Sequence, residues 1–189
     1  MPKPPVLPVI DWKAVFDSGR TYDQWIANAE NTEKAETMTG LLAEQQVAAT
    51  VAERLRSLKR PVHVVAIAED WCGDVVRHAP VLARLAQESD QLRVRFIARE
   101  QYPDVFVRFL TNGGEAIPKF VFLNDQFVEC ANWGPLPEEC RRLIARGKAC
   151  GDVPAARAKV AALYQDDAGR QVVVAELAAL IDLAATEAV

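Results

Sequence analysis

No two cysteines in this chain stand at Cys-x-x-Cys spacing; the four, Cys72, Cys130, Cys140 and Cys150, are scattered singly. The opening residues, Met1-Pro2-Lys3-Pro4-Pro5-Val6-Leu7-Pro8, are proline-rich and carry no apolar signal-peptide core, so a cytoplasmic location is expected. In that setting a structural disulfide framework is not expected and free thiols are. No apolar run approaches the roughly 20 residues needed to span a bilayer, which excludes a transmembrane helix. Basic residues are in deficit: 22 Lys and Arg against 26 Asp and Glu give a formal charge of −4. A general nucleic-acid or anionic-membrane surface needs the opposite balance to neutralise phosphates, so neither partner is expected. Only two histidines occur, His63 and His78, at no recognised ligand spacing, so no metal is expected. Internal repeats and low-complexity tracts are also absent.

What is present fits a globular chain with a substantial core: half of the 189 residues are hydrophobic and a quarter charged. The run Pro61-Val62-His63-Val64-Val65-Ala66-Ile67-Ala68 reads as a buried strand by length and β-branched content. Val76 to Ala86 has apolar positions spaced for a helix. Between them lies Glu69-Asp70-Trp71-Cys72-Gly73-Asp74-Val75, which places Cys72 at a helix N-terminus. Exposed N–H groups and the macrodipole favour a thiolate there, so sulfur chemistry is the first functional expectation.

The remaining chain is expected to build a frame around this stretch. Residues 1–20 read as extended or irregular, with Trp12, Val15 and Phe16 able to dock on something larger. Thr21-Tyr22-Asp23-Gln24 has capping-box form and predicts a short helix carrying Trp25 and Ile26. One helical stretch is predicted from about Glu33 to Leu58, bent near Gly40, with Val47, Val51, Leu55 and Leu58 facing the core. Leu92 to Ala98 alternates as a strand and, across the cysteine helix, predicts a parallel crossover. Tyr102 to Leu110 predicts a short amphipathic helix closed by Thr111-Asn112-Gly113-Gly114. Ala116 to Leu123 and Gln126 to Trp133, joined at Asn124-Asp125, predict an antiparallel hairpin with Pro118 at a strand start. Gly134-Pro135-Leu136-Pro137 ends it, and a helix from Glu138 to Arg146 is predicted to stop at Gly147. Two further helices are predicted near Ala155–Tyr164 and Val172–Ala185. In the latter, Val173, Leu177, Leu180 and Ile181 form a stripe read as covering the sheet, with a homodimer seam as the alternative.

This order of elements resembles the thioredoxin superfamily, and its motifs fall in register. Trp71-Cys72-Gly73 matches the start of the Trp-Cys-Gly-Pro-Cys motif, while Asp74-Val75 departs from it. Ala79-Pro80 matches the Ala-Pro further along the helix, Ile117-Pro118 the Ile-Pro whose proline is cis, and Gly134 the glycine closing the hairpin. The resemblance implies an α/β thioredoxin-like fold, a mixed central sheet flanked by helices, over residues 61–147. Helical extensions over 1–60 (which include the first core helix) and 148–189 would complete one compact domain, as in a subgroup of bacterial thioredoxin-family proteins.

The departures bear on chemistry. Val75 stands in place of the resolving cysteine, and Ala66 in place of the buried acid that serves it, so a local dithiol cycle is excluded. Cys72 is left as a lone catalytic nucleophile in monothiol exchange with a protein disulfide or a low-molecular-weight thiol. The alternative is a non-catalytic binding module using the groove beside Pro118. The resemblance implies that Trp71, Gly73, Asp74, Ile117, Pro118, Trp133 and Gly134 line that groove. Core packing is the alternative for Trp71 and Trp133. Asp74 also stabilises a helix start by about 0.3–1 kcal/mol, while opposing a neighbouring thiolate as a like charge. Cys130, Cys140 and Cys150 read as small buried hydrophobes rather than resolving thiols. No cofactor is expected. An iron–sulfur role shared with glutathione would need a cationic glutathione site, which the sequence does not identify.

Overall fold

All six side chains of strand β1, Val62–Ile67, are buried. They are buried because β1 lies inside the sheet and helices cover its faces, the setting that favours β-branched residues. The computed structural model describes residues 9–111 and 113–186. Met1–Pro8 and Asn112, to which the sequence reading assigned irregular chain and a turn, lie outside the described residues. Strands β2 (Leu92–Ile97), β3 (Lys119–Leu123) and β4 (Glu129–Trp133) complete the sheet, in the order β2-β1-β3-β4. β1 and β2 are parallel, with Val64 opposite Val94; β3 is antiparallel to both β1 and β4. The crossover from β1 to β2 runs through helix α5, Gly73–Ala86.

The N-terminal part is more regular than its sequence suggests. Trp12–Asp17 forms helix α1, capped by the Asp11 carboxylate accepting from the Ala14 N–H at 2.9 Å, and it buries Trp12, Val15 and Phe16. The capping box forms as predicted: Thr21 and Gln24 exchange hydrogen bonds at the start of α2, Tyr22–Ala27. Between these helices Arg20 and Phe96 exchange main-chain bonds at 2.9 and 2.8 Å, which occupies part of the open edge of β2.

The long helix predicted over 33–58 is two helices, α3 (Thr32–Glu44) and α4 (Ala49–Arg56), and Gly40 lies inside the first. The break falls at Gln45, whose side chain is buried. Its amide nitrogen donates to the carbonyls of Gln46 and Gly169, and its oxygen accepts from Arg170 Nε at 2.7 Å. A contact with residues more than 120 positions away therefore overrides local helical pattern. Val47 consequently leaves the helical stripe, although it still packs against the core with Val51 and Leu58.

Three other boundaries move. The stretch after β2 divides into a 3-10 turn at Arg99–Gln101, helix α6 at Pro103–Phe106 and another 3-10 turn at Val107–Phe109. The hairpin loop is longer than Asn124-Asp125: the Asn124 side chain accepts the N–H groups of Gln126 and Val128, each at 2.9 Å. Phe127 takes a left-handed φ of 59° in this loop, and its ring stacks on His63 at 4.1 Å. Helix α7 runs Glu138–Cys150, past Gly147, and ends at Gly151, whose φ of 77° suits a glycine C-cap. Gly147 serves close packing instead: a Cβ there would lie 2.5 Å from the Ala156 Cβ on helix α8, Val153–Asp166.

Helix α9, Gln171–Ala184, lays Val173, Leu177 and Ile181 on the sheet, all at most 1% exposed. Each such aliphatic side chain contributes about 1.5–3 kcal/mol by leaving water. The stripe read from the sequence covers β3 and β4, and the same apolar cluster takes in Trp12, Val15 and Phe16 of α1. Among the described residues no helix is long and apolar enough to cross a membrane.

Candidate functional site

The chain leaves β1, passes Glu69 to Trp71, and enters α5 with Cys72 as the N-cap residue. The Cys72 side chain is half-buried, and its thiol donates to the carbonyl oxygen of Ile117 across 3.5 Å. No side chain caps this helix, so its first N–H groups remain directed at the region of the sulfur. Val75 one turn on is fully buried in the apolar core. Ala66, in the middle of β1, is likewise fully buried. The positions of a second thiol and of its acid are therefore filled by core packing.

Opposite the sulfur, the Ile117-Pro118 peptide is cis, and Gly134 closes against it from the end of β4. Gly134 has φ +115°, and a Cβ there would sit 2.1 Å from the Pro118 carbonyl oxygen. Only glycine meets both conditions. Its carbonyl accepts from the buried Lys119 Nζ at 2.7 Å and from Arg141 at 3.3 Å. Burial, reinforced by Arg141, lowers the Lys119 ammonium to about 8.

Trp71 and Trp133 behave differently. Trp71 is half-exposed beside the thiol, with the Arg99 guanidinium over its ring at 5.6 Å. Lys34 donates from its ammonium to the Trp71 carbonyl. Trp133 is 2% exposed and stacks on Phe120 at 5.4 Å, so it is a core residue and not a wall of an open groove. Its burial is satisfied by an indole N–H donated to Glu176 of α9 at 2.6 Å. Gly73 faces open space, where a Cβ would meet nothing within 4 Å.

Asp74 is turned into the protein, towards the C-terminal extension. The Tyr164 hydroxyl of α8 lies 3.4 Å from Asp74 Oδ1 and 3.1 Å from His78 Nε2. Burial pushes the Asp74 carboxyl up, against the Tyr164 bond and the charge of Arg77, which hold it down. His78 is fully buried, edge-on to Trp133 and Tyr164, with its Nδ1 unpartnered. Burial and the charges of Arg77 and Arg170 lower it to about 3, so its ring is neutral at ordinary pH. Arg77 covers the Tyr164 ring at 4.1 Å and donates to the carbonyls of Tyr164 and Asp167. The sequence reading missed Lys34, Arg99 and Tyr164 because no local motif marks them; each reaches the cysteine loop or its helix across tertiary contacts.

The other cysteines are free, with Cys140 buried and Cys130 and Cys150 exposed. The expectation that all three are buried hydrophobes holds for Cys140 alone. Cys130 is exposed because β4 is a sheet edge, and Cys150 because it closes α7.

Comparison with known proteins agrees with this geometry. A family model described as thioredoxin matches residues 19–155, and the chain belongs to the thioredoxin family. Two solved structures share the fold. A protein of unknown function from Pseudomonas aeruginosa has a TM-score of 0.67 at 17% identity, over 92% of this chain and 98% of that one. An HIV epitope-scaffold has a TM-score of 0.69 at 14% identity, with the same 92% and 98% coverage. No curated protein matches the chain.

Proposed function

We propose that the protein carries out monothiol thiol–disulfide exchange through Cys72. The observation that carries this reading is the partly buried Cys72 at an uncapped helix start, its sulfur 3.5 Å from the Ile117 carbonyl oxygen, with buried Val75 in place of a second thiol. In the first step the Cys72 thiolate attacks one sulfur of a substrate disulfide, and the other substrate sulfur leaves as a thiolate. The resulting mixed disulfide cannot be opened from Val75. An external thiol therefore attacks the substrate-derived sulfur, forms a new disulfide with it, and returns Cys72 as a thiolate. The net reaction exchanges one thiol for another across a disulfide and needs no cofactor. Trp71 stands beside the sulfur as an apolar surface for the incoming chain. The neighbouring cis proline loop orients the Ile117 carbonyl towards the reacting atom.

A second reading, a thioredoxin-fold module that binds without turnover, draws on one observation. Asp74 puts an acid in the first turn of α5, although its carboxylate is turned towards Tyr164, and a like charge in that turn opposes a thiolate. Turnover separates the two. Reduction of a glutathionylated protein by excess glutathione is measured with wild type and with Cys72→Ser. Acceleration by wild type alone is the expected result; no acceleration by either leaves the binding module as the function.

A further inference from the structure

A cavity of about 560 Å³ opens beside Trp71, and neither Cys72 nor Ile117 lines it. It lies beyond the carboxyl ends of the two parallel strands: Ala68 to Trp71 follow β1 on one side, and Ala98 to Gln101 follow β2 on the other. Ligands in α/β sheets bind outside the carboxyl ends of the strands, and this volume is in the range of about 300–1,000 Å³ typical of small-ligand sites. The third wall is the segment around α2. Trp25 stacks on the buried Phe96 at 4.7 Å and 15° between planes, so one face of the cavity is aromatic. Trp71 supplies a second aromatic surface.

The charges lining it decide the ligand. Of the two guanidiniums, Arg99 is already engaged by Glu100, Glu115 and the Trp71 ring, leaving Arg20 as the cation without an ion pair among the described residues. Four carboxylates line the cavity: Glu100, already paired with Arg99, and Glu30, Glu69 and Asp70. Glu30 is exposed and makes no ion pair or hydrogen bond among the described residues. Glu69 accepts the Arg99 N–H through Oε1, and Asp70 accepts the Asn31 N–H through Oδ2, so a second oxygen of each is left over. Burial pushes the Glu69 carboxyl up, which a nearby cation would relieve. Among the described residues no three acidic, histidine or cysteine side chains converge closely enough to hold a metal ion. A larger organic cation can instead reach from one carboxylate to another while lying against the tryptophan faces.

We infer that this cavity binds an alkylammonium or guanidinium group. The group belongs either to a free small amine or to a lysine or arginine side chain of a peptide. The site shares Trp71 with the proposed exchange surface but does not use Cys72, so cation binding stands or falls without thiol exchange.

The test is calorimetric titration of the intact protein with agmatine, with a lysine-containing tripeptide blocked at both ends, and with glutarate as an anionic control. Agmatine or the peptide is expected to bind and glutarate not to. Glu30→Gln and Glu69→Gln are each expected to weaken binding about tenfold, the effect of losing one charge-assisted bond. Glutamine keeps an acceptor for the Arg99 N–H, and Glu30→Gln removes no internal bond, so an unchanged unfolding midpoint identifies a true binding effect. Cys72→Ser is expected to bind as wild type does. Tighter binding of the peptide assigns the source to a basic side chain, and tighter binding of agmatine to a free amine. Failure of both cations to bind, equal binding of glutarate, or affinities indifferent to both substitutions would overturn the inference.

Discussion

Replacing Gly134 with alanine tests whether the hairpin end holds the proline loop in place. Two costs can be worked from the geometry. At φ +115° an L-residue is strained by about 1–3 kcal/mol. The added Cβ also lies 2.1 Å from the Pro118 carbonyl oxygen and 3.1 Å from its carbon. Ordinary contact requires the two segments to separate by roughly 1 Å, which overpacks a site that cannot yield freely. Forced backbone shifts of that kind cost about 1–3 kcal/mol more. The sum is about 2–6 kcal/mol, a large share of a typical folding free energy of about 5–15 kcal/mol. In urea, with a slope of about 2 kcal/mol per molar, the midpoint falls by about 1–3 M. Separation would also stretch the Lys119 and Arg141 bonds to the Gly134 carbonyl and displace Ile117 from Cys72. Equilibrium urea unfolding, followed by tryptophan fluorescence and circular dichroism together, provides the measurement. A midpoint shift below 0.2 M would refute the claim that glycine is required at this contact.

Three further outcomes are expected. Trp133→Phe keeps the stack on Phe120 but deletes the 2.6 Å bond to Glu176, and should cost about 1.5–3 kcal/mol by urea unfolding; a loss under 0.5 kcal/mol would contradict that bond's role. His78 titrates near 3 in the fold against 6.5 in solution, so between those values the unfolded chain holds a proton the folded chain lacks. Stability should fall as pH drops from about 6.5 towards 3, by up to about 1.4 kcal/mol per pH unit from this group, and His78→Gln should show a correspondingly shallower slope. Gly147→Ala should destabilise by about 1–3 kcal/mol because its Cβ would meet Ala156 at 2.5 Å, whereas Gly73→Ala, facing open space, should be neutral or stabilising by about 0.4–1 kcal/mol. Equal effects of the two glycine substitutions in thermal unfolding would refute the packing argument.

The parts of the fold that could be read from sequence are those fixed by local chemistry. The apolar run at Val62–Ile67, the Thr21–Gln24 box and the helix opening at Cys72 each carry their own signal within a few residues. The failures share a cause in contacts distant along the chain. The break at Gln45 is set by Gly169 and Arg170, and nothing near residue 45 announces it. Gly147 resembles a helix stop because glycine often is one, yet its small size is used to admit Ala156. Of the two readings the sequence leaves open for Trp133, groove wall and core packing, strand alternation and Glu176 select the second. Around the candidate site the Cys72 thiol meets the Ile117 carbonyl and Gly134 closes on Pro118, positions singled out by the family resemblance. The turning of Asp74 towards Tyr164 could not be read, since the partner is 90 residues away on α8.

Peptide mapping by mass spectrometry after incubation with a glutathionylated peptide identifies the thiol that enters exchange. A mixed disulfide is expected at Cys72, trapped because no local thiol resolves it, released by added thiol, and absent from Cys72→Ser. Modification confined to Cys130 or Cys150, the two exposed thiols outside the site, or no adduct at all, would contradict it.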